Sequence, residues 1–322
     1  MFTIEKINSF FNGVIHGDKH KVIKKISEFK YADEYSVVFI KNKSDMKYIN
    51  ESKAGLIIGP KGILNINRDN NYIILNELNM NSYNSFLREY LKNKEMYFVR
   101  NRTTDRIKEH RQNGVIVGEN VIIGSNCLIH PGVVIMNFAI IGNNVEIFPN
   151  TVIQSFVSIG DNVFIDSNCS IGGQSFEYYW NGSSYIRHIN VGDLVINKGV
   201  EIGTNVCIDR GTLGSTIIGE YTKIDNIVQI GHDTIIGHNC LIISQTGIAG
   251  WVKIGNNVIV HGQVGIKGGV EIGDNVTIQA KSGVTKNISS NINISGFPAK
   301  NNLSNLRDQA IVDHLIKAYK NK

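Results

Sequence analysis

The fold is decided by residues 141–165, Ile-Gly-Asn-Asn-Val-Glu-Ile-Phe-Pro-Asn-Thr-Val-Ile-Gln-Ser-Phe-Val-Ser-Ile-Gly-Asp-Asn-Val-Phe-Ile, in which isoleucine recurs at every sixth position. The same step covers residues 123–171, resumes over 196–208, and runs in a shifted phase over 218–284, where valine sometimes replaces isoleucine. A period of six fits neither an α-helix nor an alternating strand. It fits a β-solenoid, in which each short strand places an aliphatic side chain inward before the chain turns a corner.

The residues between the isoleucines suit tight corners, as in Ile159-Gly-Asp-Asn and Ile272-Gly-Asp-Asn. Glycine and asparagine tolerate the positive φ that such corners require. A small or β-branched residue, such as Val163 or Thr222, then fills a second inward position. These hexads predict a left-handed parallel β-helix with triangular coils, about 25 hexads in roughly eight coils at ~4.8 Å each.

The composition is that of a folded chain with a small charge excess. With 322 residues, 42% of them hydrophobic, the chain is long enough for two or three globular parts. The net charge of +5 comes without a dense Lys/Arg block in the repeats, so we expect no nucleic-acid partner. The excess suits an acidic partner, such as a nucleotide phosphate or an acidic carrier protein.

Neither the cysteines nor the apolar runs indicate a secreted or membrane-spanning protein. We expect the cysteines to fill core positions or to be neutral, rather than to bind metal or form disulfides; they are Cys127, Cys169, Cys207 and Cys240. The N-terminus lacks the layout of a signal peptide, and every apolar run is well short of about 18 residues. The sequence therefore predicts a cytoplasmic protein without a membrane span.

Four segments follow from where the six-residue step begins and ends. Residues 1–100 lack the step and are predicted to form a small α/β domain, followed by a polar linker over 101–113. The β-helix is predicted over 114–298, and helical spacing of apolar residues predicts a C-terminal helix over 299–322. Within the first segment we expect helices at 4–11 and 82–91 and strands at 37–40, 56–59 and 72–75.

Two irregularities interrupt the ladder of isoleucines. Residues 172–192 are rich in aromatic side chains and too long for a corner, and residues 212–216 shift the phase of the repeat. Loops that leave a rigid scaffold commonly carry binding groups. The first irregularity is either such a binding loop or a surface insertion with buried aromatic residues.

Five motifs, in one order and spacing, resemble those of the UDP-3-O-acylglucosamine N-acyltransferases of lipid A biosynthesis. They are Cys-Ile-Asp-Arg-Gly (207–211), Thr-Ile-Ile-Gly (216–219), Lys-Ile-Asp-Asn (223–226), Val-Gln-Ile-Gly-His (228–232) and Gln-Thr-Gly-Ile-Ala-Gly (245–250). The resemblance covers nearly the whole chain. It implies a nucleotide (uridine)-binding domain over 1–100 and an acyltransferase domain over 114–298.

The resemblance implies that His232 is the general base of an N-acyltransferase. The reaction moves a (3-hydroxy)acyl group from an acyl carrier protein thioester to the 2-amine of UDP-3-O-acylglucosamine. A neutral imidazole with a pKa of about 6.5 suits removal of a proton from the attacking amine. A corner histidine facing solvent is the alternative, since His238 occupies the same place one hexad later. Gly250 is the candidate for a backbone N–H that binds the oxyanion.

The remaining candidate residues also come from the resemblance. The predicted substrate-binding residues are Phe39, Asn42, Phe176, Tyr178, Asp225, Asn226 and Gln229. The family continues its uridine segment with Pro-Lys-Tyr, where this chain has Lys43-Ser-Asp45. Near the acyl-carrier arm the family often has Gly-His, where this chain has Gly268-Gly269. The second histidine is therefore either missing at Gly269 or replaced by His261.

We expect a homotrimer with active sites in the clefts between neighbouring prisms, as the resemblance implies. The C-terminal helix would attract an acidic acyl carrier protein through basic residues, namely Arg307, Lys317 and Lys320. No metal or bound cofactor is expected, because the acyl-phosphopantetheine thioester is a co-substrate. Two alternatives stay open: an N-acyltransferase for another nucleotide-linked amino sugar (dTDP or UDP) of surface glycan, using acyl-CoA or acyl carrier protein, and a non-catalytic scaffold.

Overall fold

The computed structural model describes residues 1–41, 43–49, 51–61, 71–100, 114–296 and 302–320. In it the hexads form the parallel β-solenoid that the sequence predicts, with three flat faces around one aliphatic core. In the regular coils each strand pairs in parallel with the strand 18 residues further on, so that Ile123 pairs with Ile141 and Ile141 with Ile159. The stacked isoleucines fill the inside of the prism.

The three faces are numbered in the order in which the chain first visits them. The first face has nine strands, Ile116–Val117, Val134–Ile135, Val152–Ile153, Ser170–Gly173, Cys207–Asp209, Gln229–Ile230, Gly247–Ile248, Gly265–Ile266 and Gly283–Val284. The second face has eight strands, Ile122–Ile123, Ile140–Ile141, Val157–Ile159, Asp193–Ile196, Ser215–Ile218, Ile235–Ile236, Lys253–Ile254 and Glu271–Ile272. The third face has nine strands, Leu128–Ile129, Glu146–Ile147, Phe164–Ile165, Glu201–Ile202, Lys223–Ile224, Leu241–Ile242, Ile259–Val260, Thr277–Ile278 and Asn293–Ile294.

The prism is one strand longer than the hexads indicate. Its last strand, Asn293–Ile294, pairs with Thr277–Ile278, so the step from Ile278 to Ile294 is 294 − 278 = 16 residues instead of 18. This shorter coil breaks the six-residue spacing, and the isoleucine pattern alone therefore does not reveal it.

The corners of the prism are joined by a ladder of hydrogen bonds between successive coils. At several corners the second residue after an inward isoleucine or valine donates its backbone N–H to a side-chain oxygen one coil later. Glu119 donates to Asn137 Oδ1 at 2.9 Å, and His238 donates to Asn256 Oδ1 at 3.0 Å. We call this repeated contact the corner ladder. It explains why asparagine and aspartate are common at the corners.

The N-terminal domain is an α/β unit of the kind that the sequence predicts. Its five-stranded sheet has the order Val14–His16, Asn71–Leu75, Leu56–Pro60, Ser36–Phe39 and Lys25–Ile26, and Phe2–Thr3 pairs separately with Val22–Ile23. Helix α1 (Ile4–Phe11) begins at Thr3, whose hydroxyl accepts the Lys6 N–H, and ends at Asn12 in the left-handed conformation. Short 3₁₀ turns cover Phe29–Tyr31 and Lys43–Tyr48.

Helix α2 (Met80–Arg100) is about twice as long as the predicted helix over 82–91. The helix continues for nine residues beyond the predicted end at residue 91. The predicted linker over 101–113 lies outside the described residues.

The insertion at 172–192 fastens the N-terminal domain to the solenoid. It contains an antiparallel hairpin of Tyr178–Trp180 with Tyr185–Arg187, and its Val191 is buried in the core of the N-terminal domain. Lys94 of α2 forms an ion pair with Asp193, with 2.6 Å between Nζ and Oδ1. The solenoid continues past the insertion, because Ile159 pairs with Ile196.

Helix α3 (Asn302–Lys320) ends the described chain, and its predicted basic residues Arg307, Lys317 and Lys320 are exposed. A group of apolar side chains on this helix is also exposed, namely Ile311, Val312, Leu315, Ile316 and Tyr319. Among the described helices, none is long and apolar enough to cross a membrane.

Candidate active site

His232 lies on the edge of the prism between the first and second faces, directly after the strand Gln229–Ile230. It is only 8% exposed. Its Nδ1 is 2.9 Å from Oδ2 of Asp233. Because an ionised carboxylate only accepts hydrogen bonds, Nδ1 carries the proton and Nε2 keeps a lone pair. The imidazole is thus held in the tautomer that a general base requires.

Asp233 is fixed in turn by the phase shift of the repeat. Its Oδ2 accepts the backbone N–H of Thr212 at 2.8 Å and also the Thr212 hydroxyl. The residues that break the six-residue step therefore position the carboxylate that orients His232. Asp233 itself has a φ of 55°, the left-handed conformation that is usual for the corners of this solenoid.

The pKa of His232 is raised above its ordinary value. Burial opposes the charged imidazolium, but the hydrogen bond and charge of Asp233 outweigh it, with smaller contributions from Glu177 and Asp209. The surroundings therefore stabilise the protonated state that a general base reaches during the reaction.

Gly250 lies one coil beyond His232, against its ring. A Cβ atom on Gly250 would be 2.6 Å from His232 Nε2, so only glycine leaves room for the imidazole in this position. The backbone N–H of Gly250 donates to no acceptor among the residues that the structure describes. In a regular corner a side chain one coil later would accept it, but that position is Gly268. The corner ladder is interrupted beside Nε2, which leaves a backbone donor available.

The insertion contributes Glu177, a residue that sequence reasoning did not select. Its charge raises the pKa of His232, and its Oε2 is buried without a hydrogen-bond partner in the described part of the chain. Phe176 is 88% exposed and packs edge-on against Tyr178. Neither aromatic residue lines the two cavities described next.

Two adjoining cavities lie between the N-terminal domain and the His232 edge. The first, of about 400 Å³, is lined by residues that include Phe39, Lys41 and Tyr48, and we call it the Lys41 cavity. The second, of about 390 Å³, is lined by residues that include Asp233 and Gly269, and we call it the Asp233 cavity. Four residues line both cavities: Ser27, Glu28, Trp251 and Lys253.

The predicted nucleotide segment borders the Lys41 cavity. Phe39 lines it but is largely buried, with its ring 4.8 Å from that of Tyr83. Asn42 lies outside the described residues. Tyr48 lines the same cavity, keeps 43% of its surface exposed and is stacked near Phe29. An exposed aromatic ring is therefore present 48 − 39 = 9 residues after Phe39, the predicted stacking residue.

Other predicted residues lie on a different edge of the same prism. Asp225, Asn226 and His261 occupy the edge between the third and first faces, so the whole first face separates them from His232. Asp225 accepts the Ser244 N–H at 3.1 Å, and Asn226 accepts the Thr204 N–H at 2.7 Å. Within one chain these two side chains serve as corner bonds.

Gln229 and Asp209 lie closer to the base, on the first face. Burial raises the pKa of the Asp209 carboxyl to about 6, against opposing effects of Gln229 and His232. The neighbouring Arg210 does not pair with Asp209. Its buried guanidinium donates to the carbonyls of Gly172 and Ser155, at 2.9 and 2.6 Å. Arg210 thus holds the point where the insertion leaves the solenoid.

Trp251 is the second residue that sequence reasoning missed at this edge. Its ring meets that of His232 edge-to-face, with 4.3 Å between centroids, and its φ is 59°. A bulky residue in the left-handed conformation is uncommon. The signal was present in the sequence, because tryptophan stands where the hexads usually have asparagine. Asp233 gave no such signal, since it looks like an ordinary corner residue.

No group of three or more His, Cys, Asp or Glu side chains that could hold a metal ion is found in the described part of the chain. The four cysteines are free thiols, and burial raises the pKa of each. The arrangement at the His232 edge is that of acid–base chemistry: an oriented imidazole, an available backbone N–H and two adjoining cavities.

Comparisons with known proteins first define the class. Residues 138–173 and 252–286 match the family model "Bacterial transferase hexapeptide (six repeats)", and residues 114–149 match "Hexapeptide repeat of succinyl-transferase". The chain also resembles the solved structure of UDP-N-acetylglucosamine acyltransferase from Campylobacter jejuni, with a TM-score of 0.51 and 24% identity over 64% of this chain and 82% of that one. That likeness concerns the fold alone. The protein is a hexapeptide-repeat transferase.

Relatives of similar length then define the family. The chain is 39% identical to UDP-3-O-acylglucosamine N-acyltransferase of Fusobacterium nucleatum over 258 residues, which are 76% of this chain and 75% of the relative. It is 53% identical to UDP-3-O-acylglucosamine N-acyltransferase 1 of Gloeobacter violaceus over 196 residues, 61% and 56% of the two chains. This chain belongs to the UDP-3-O-acylglucosamine N-acyltransferase family. The resemblance stated from its motifs is confirmed.

Proposed function

We propose that this chain transfers a (3-hydroxy)acyl group from an acyl carrier protein thioester to the 2-amine of UDP-3-O-acylglucosamine in lipid A biosynthesis. The observation that carries the proposal is the pairing of a His232 held in the basic tautomer with the available N–H of Gly250. The names of the family's members supply the substrate class. The two cavities beside the base give the substrate a place to bind.

The chemistry follows from these two groups. The neutral amine attacks the thioester carbon, and His232 Nε2 takes the proton that the nitrogen loses. The negative charge that develops on the thioester oxygen is stabilised by the Gly250 N–H. When the intermediate collapses, the imidazolium returns its proton to the departing sulfur. The hydrogen bond between Asp233 and Nδ1 stabilises the imidazolium between the two transfers.

The nucleotide would bind in the Lys41 cavity. Three lysines line it, Lys30, Lys41 and Lys253, and a diphosphate needs such cations. The exposed ring of Tyr48 is the candidate platform for the base. This arrangement supports the assignment of residues 1–100 as the nucleotide-binding domain, with Phe39 supporting the cavity wall from the protein core.

The functional unit would be a homotrimer. Asp225, Asn226 and His261 would then reach the substrates from the neighbouring prism, because their edge is separated from His232 within one chain. The exposed apolar side chains of α3 are available for contact with other copies of that helix. The basic residues of α3, Arg307, Lys317 and Lys320, would attract the acyl carrier protein.

An acyl-transfer assay tests the proposal. Purified protein is offered UDP-3-O-acylglucosamine with 3-hydroxyacyl carrier protein, and separately dTDP-amino sugars with acyl-CoA. We expect turnover with the first pair, and a loss of about 10²–10⁴-fold in kcat for His232→Ala. His238→Ala is the matched control, because His238 holds the same hexad position at the next corner, and it should keep full activity.

Three other results would contradict parts of the proposal. Turnover of the second pair alone would replace the lipid A substrate by an amino sugar of surface glycan. Full activity of His232→Ala would remove the assignment of the base. Activity with neither pair would favour a scaffold.

A further inference from the structure

Two side chains in the wall shared by the two cavities have no role in the reaction proposed above. Glu28, from the N-terminal domain, and Trp251, from the His232 edge, line both the Lys41 cavity and the Asp233 cavity. An acceptor whose nucleotide lies in the first cavity and whose nitrogen approaches His232 must pass this wall. The chemistry of the wall therefore bears on which acceptors bind.

Asp233 presents a buried oxygen that has no partner. Its side chain is 4% exposed, and its Oδ2 holds His232 and Thr212. Its Oδ1 makes no hydrogen bond with any described residue. A buried carboxylate oxygen without a donor is costly, and a ligand that supplies a donor removes that cost.

Glu28 of the N-terminal domain lies near the same Asp233 oxygen. A Cβ atom placed on Gly214 would be 3.3 Å from Asp233 Oδ1 and 3.8 Å from Glu28 Oε1. The two carboxylate oxygens thus flank a position that glycine leaves free of a side chain. Burial first and then the charge of Asp233 raise the pKa of the Glu28 carboxyl, in keeping with this geometry.

Two lysines lie near this position, but in the described part of the chain neither forms an ion pair with Glu28. Both Lys41 and Lys253 lower the pKa of the Glu28 carboxyl from a distance, while Lys253 pairs with Glu271, 2.7 Å from Nζ to Oε1, and Lys41 lies over the ring of Tyr83. Trp251, on the same wall, is 44% exposed. Two carboxylates and an aromatic ring form a site that suits a cation.

We propose that Glu28, Asp233 Oδ1 and Trp251 form a subsite that binds the acceptor's primary amine in its ammonium form and so selects amino sugars over hydroxyl acceptors. The inference rests on the proposed function. An ammonium is not nucleophilic, so the subsite holds the acceptor beside the base. The nitrogen first releases one proton to water, and His232 Nε2 takes the second proton as the neutral amine attacks the thioester. Glu28 is then a residue for substrate selection, and its removal weakens acceptor binding.

Isothermal titration with two ligands tests this without any turnover. UDP-glucosamine and UDP-glucose differ only in an ammonium or a hydroxyl at C2. We expect the wild-type protein to bind UDP-glucosamine about tenfold or more tightly than UDP-glucose near pH 6.5. Glu28→Gln should abolish most of this preference while leaving the Kd of UDP-glucose nearly unchanged. Glu201→Gln, in an exposed ion pair with Lys223 on the third face, is the control for net charge and should keep the preference.

The outcomes separate the subsite from the proposed function. Equal binding of the two ligands by the wild type, or an unchanged preference in Glu28→Gln, would overturn the subsite while leaving nucleotide binding intact. An equal weakening of both ligands in Glu28→Gln would also overturn it, since Glu28 would then only support the wall. Binding of neither ligand by the wild type would overturn the nucleotide assignment and the subsite with it.

Discussion

The carboxylates around His232 set the pH at which its imidazole is neutral. Burial alone would lower the pKa of His232, and the hydrogen bond and charge of Asp233 reverse that effect. A general base works only in its neutral form, so activity should rise as the pH rises through this raised pKa. The acidic limb of kcat/KM therefore reports on Asp233.

Substitution Asp233→Asn should move that acidic limb to lower pH. The amide removes the negative charge that favours the imidazolium, so the pKa of His232 falls. The rate should also fall about 10²-fold or more, because the correct tautomer is no longer enforced. The measurement is the pH profile of kcat/KM. Asp161→Asn, at an exposed corner where Oδ1 accepts the Asn143 N–H, should leave the profile unchanged. An unmoved limb in Asp233→Asn would show that Asp233 does not control the base.

Substitution Gly250→Ala should separate activity from stability. The new methyl group would lie 2.6 Å from Nε2, and the ring, as the end of a side chain, can turn away at small cost to the fold. We expect a loss of at least about 10²-fold in kcat with a nearly unchanged Tm. Gly283→Ala, where a Cβ meets nothing within 4 Å in the chain, is the control for stability. A large drop in Tm for Gly250→Ala would instead indicate a structural role.

Residues found by motif differ from residues found only by geometry. His232 and Gly250 could be named from the sequence, because they belong to motifs with a fixed order. Glu28, Glu177 and Trp251 could not, because their relation to His232 exists only once the N-terminal domain and the insertion are packed against the prism edge. Asp233 could not be singled out in the sequence, because asparagine and aspartate are common at ordinary corners.

At the scale of elements, the insertion at 172–192 connects the N-terminal domain to the solenoid, a role that the sequence did not indicate. Its aromatic residues suggested a binding loop, but Phe176 and Tyr178 do not line either cavity, whereas the charge of Glu177 raises the pKa of His232. Its end packs Val191 into the N-terminal domain, and Lys94 of α2 pairs with Asp193 where the solenoid resumes. The insertion therefore sets the position of the N-terminal domain relative to His232.

Elements with a periodic sequence pattern could be predicted, and elements without one could not. The solenoid strands repeat an inward residue that packs on its own copies, so periodicity alone located them. Helix α2 extends nine residues beyond its predicted end, and the strand Asn293–Ile294, although it falls inside the predicted β-helix over 114–298, does not follow the six-residue step because its coil is two residues shorter. Contacts between elements distant in sequence left no local pattern to read.

At the scale of the molecule, the prism behaves as a stack in which each coil contacts only its neighbours. Stability in such a stack is approximately a sum of coil and interface contributions. Ile224 is buried between Ile202 and Ile242, whereas Ile294 of the last strand pairs only with Ile278. An interior isoleucine therefore has two interfaces to lose.

Substitution Ile224→Ala should lower the free energy of unfolding by about 2–5 kcal/mol, the usual cost of such a cavity. Ile294→Ala, at a half-buried position with one neighbouring strand, should cost clearly less. Denaturant unfolding followed by circular dichroism measures both. Equal losses would show that the coils unfold as one unit whose ends are as tightly held as its middle.

The interrupted corner ladder has a consequence for how such enzymes arise and could be redesigned. The backbone of each coil offers an amide at the same corner position, and at several corners a neighbouring asparagine or aspartate accepts its hydrogen bond. At the His232 edge, the next two coils have Gly250 and Gly268 at this position. The corner hydrogen bond is therefore absent among the described residues and the Gly250 N–H is available for catalysis, while the fold of the prism is unchanged. The same active site could therefore be built at another corner, because other coils already have the required backbone and only the side chains differ.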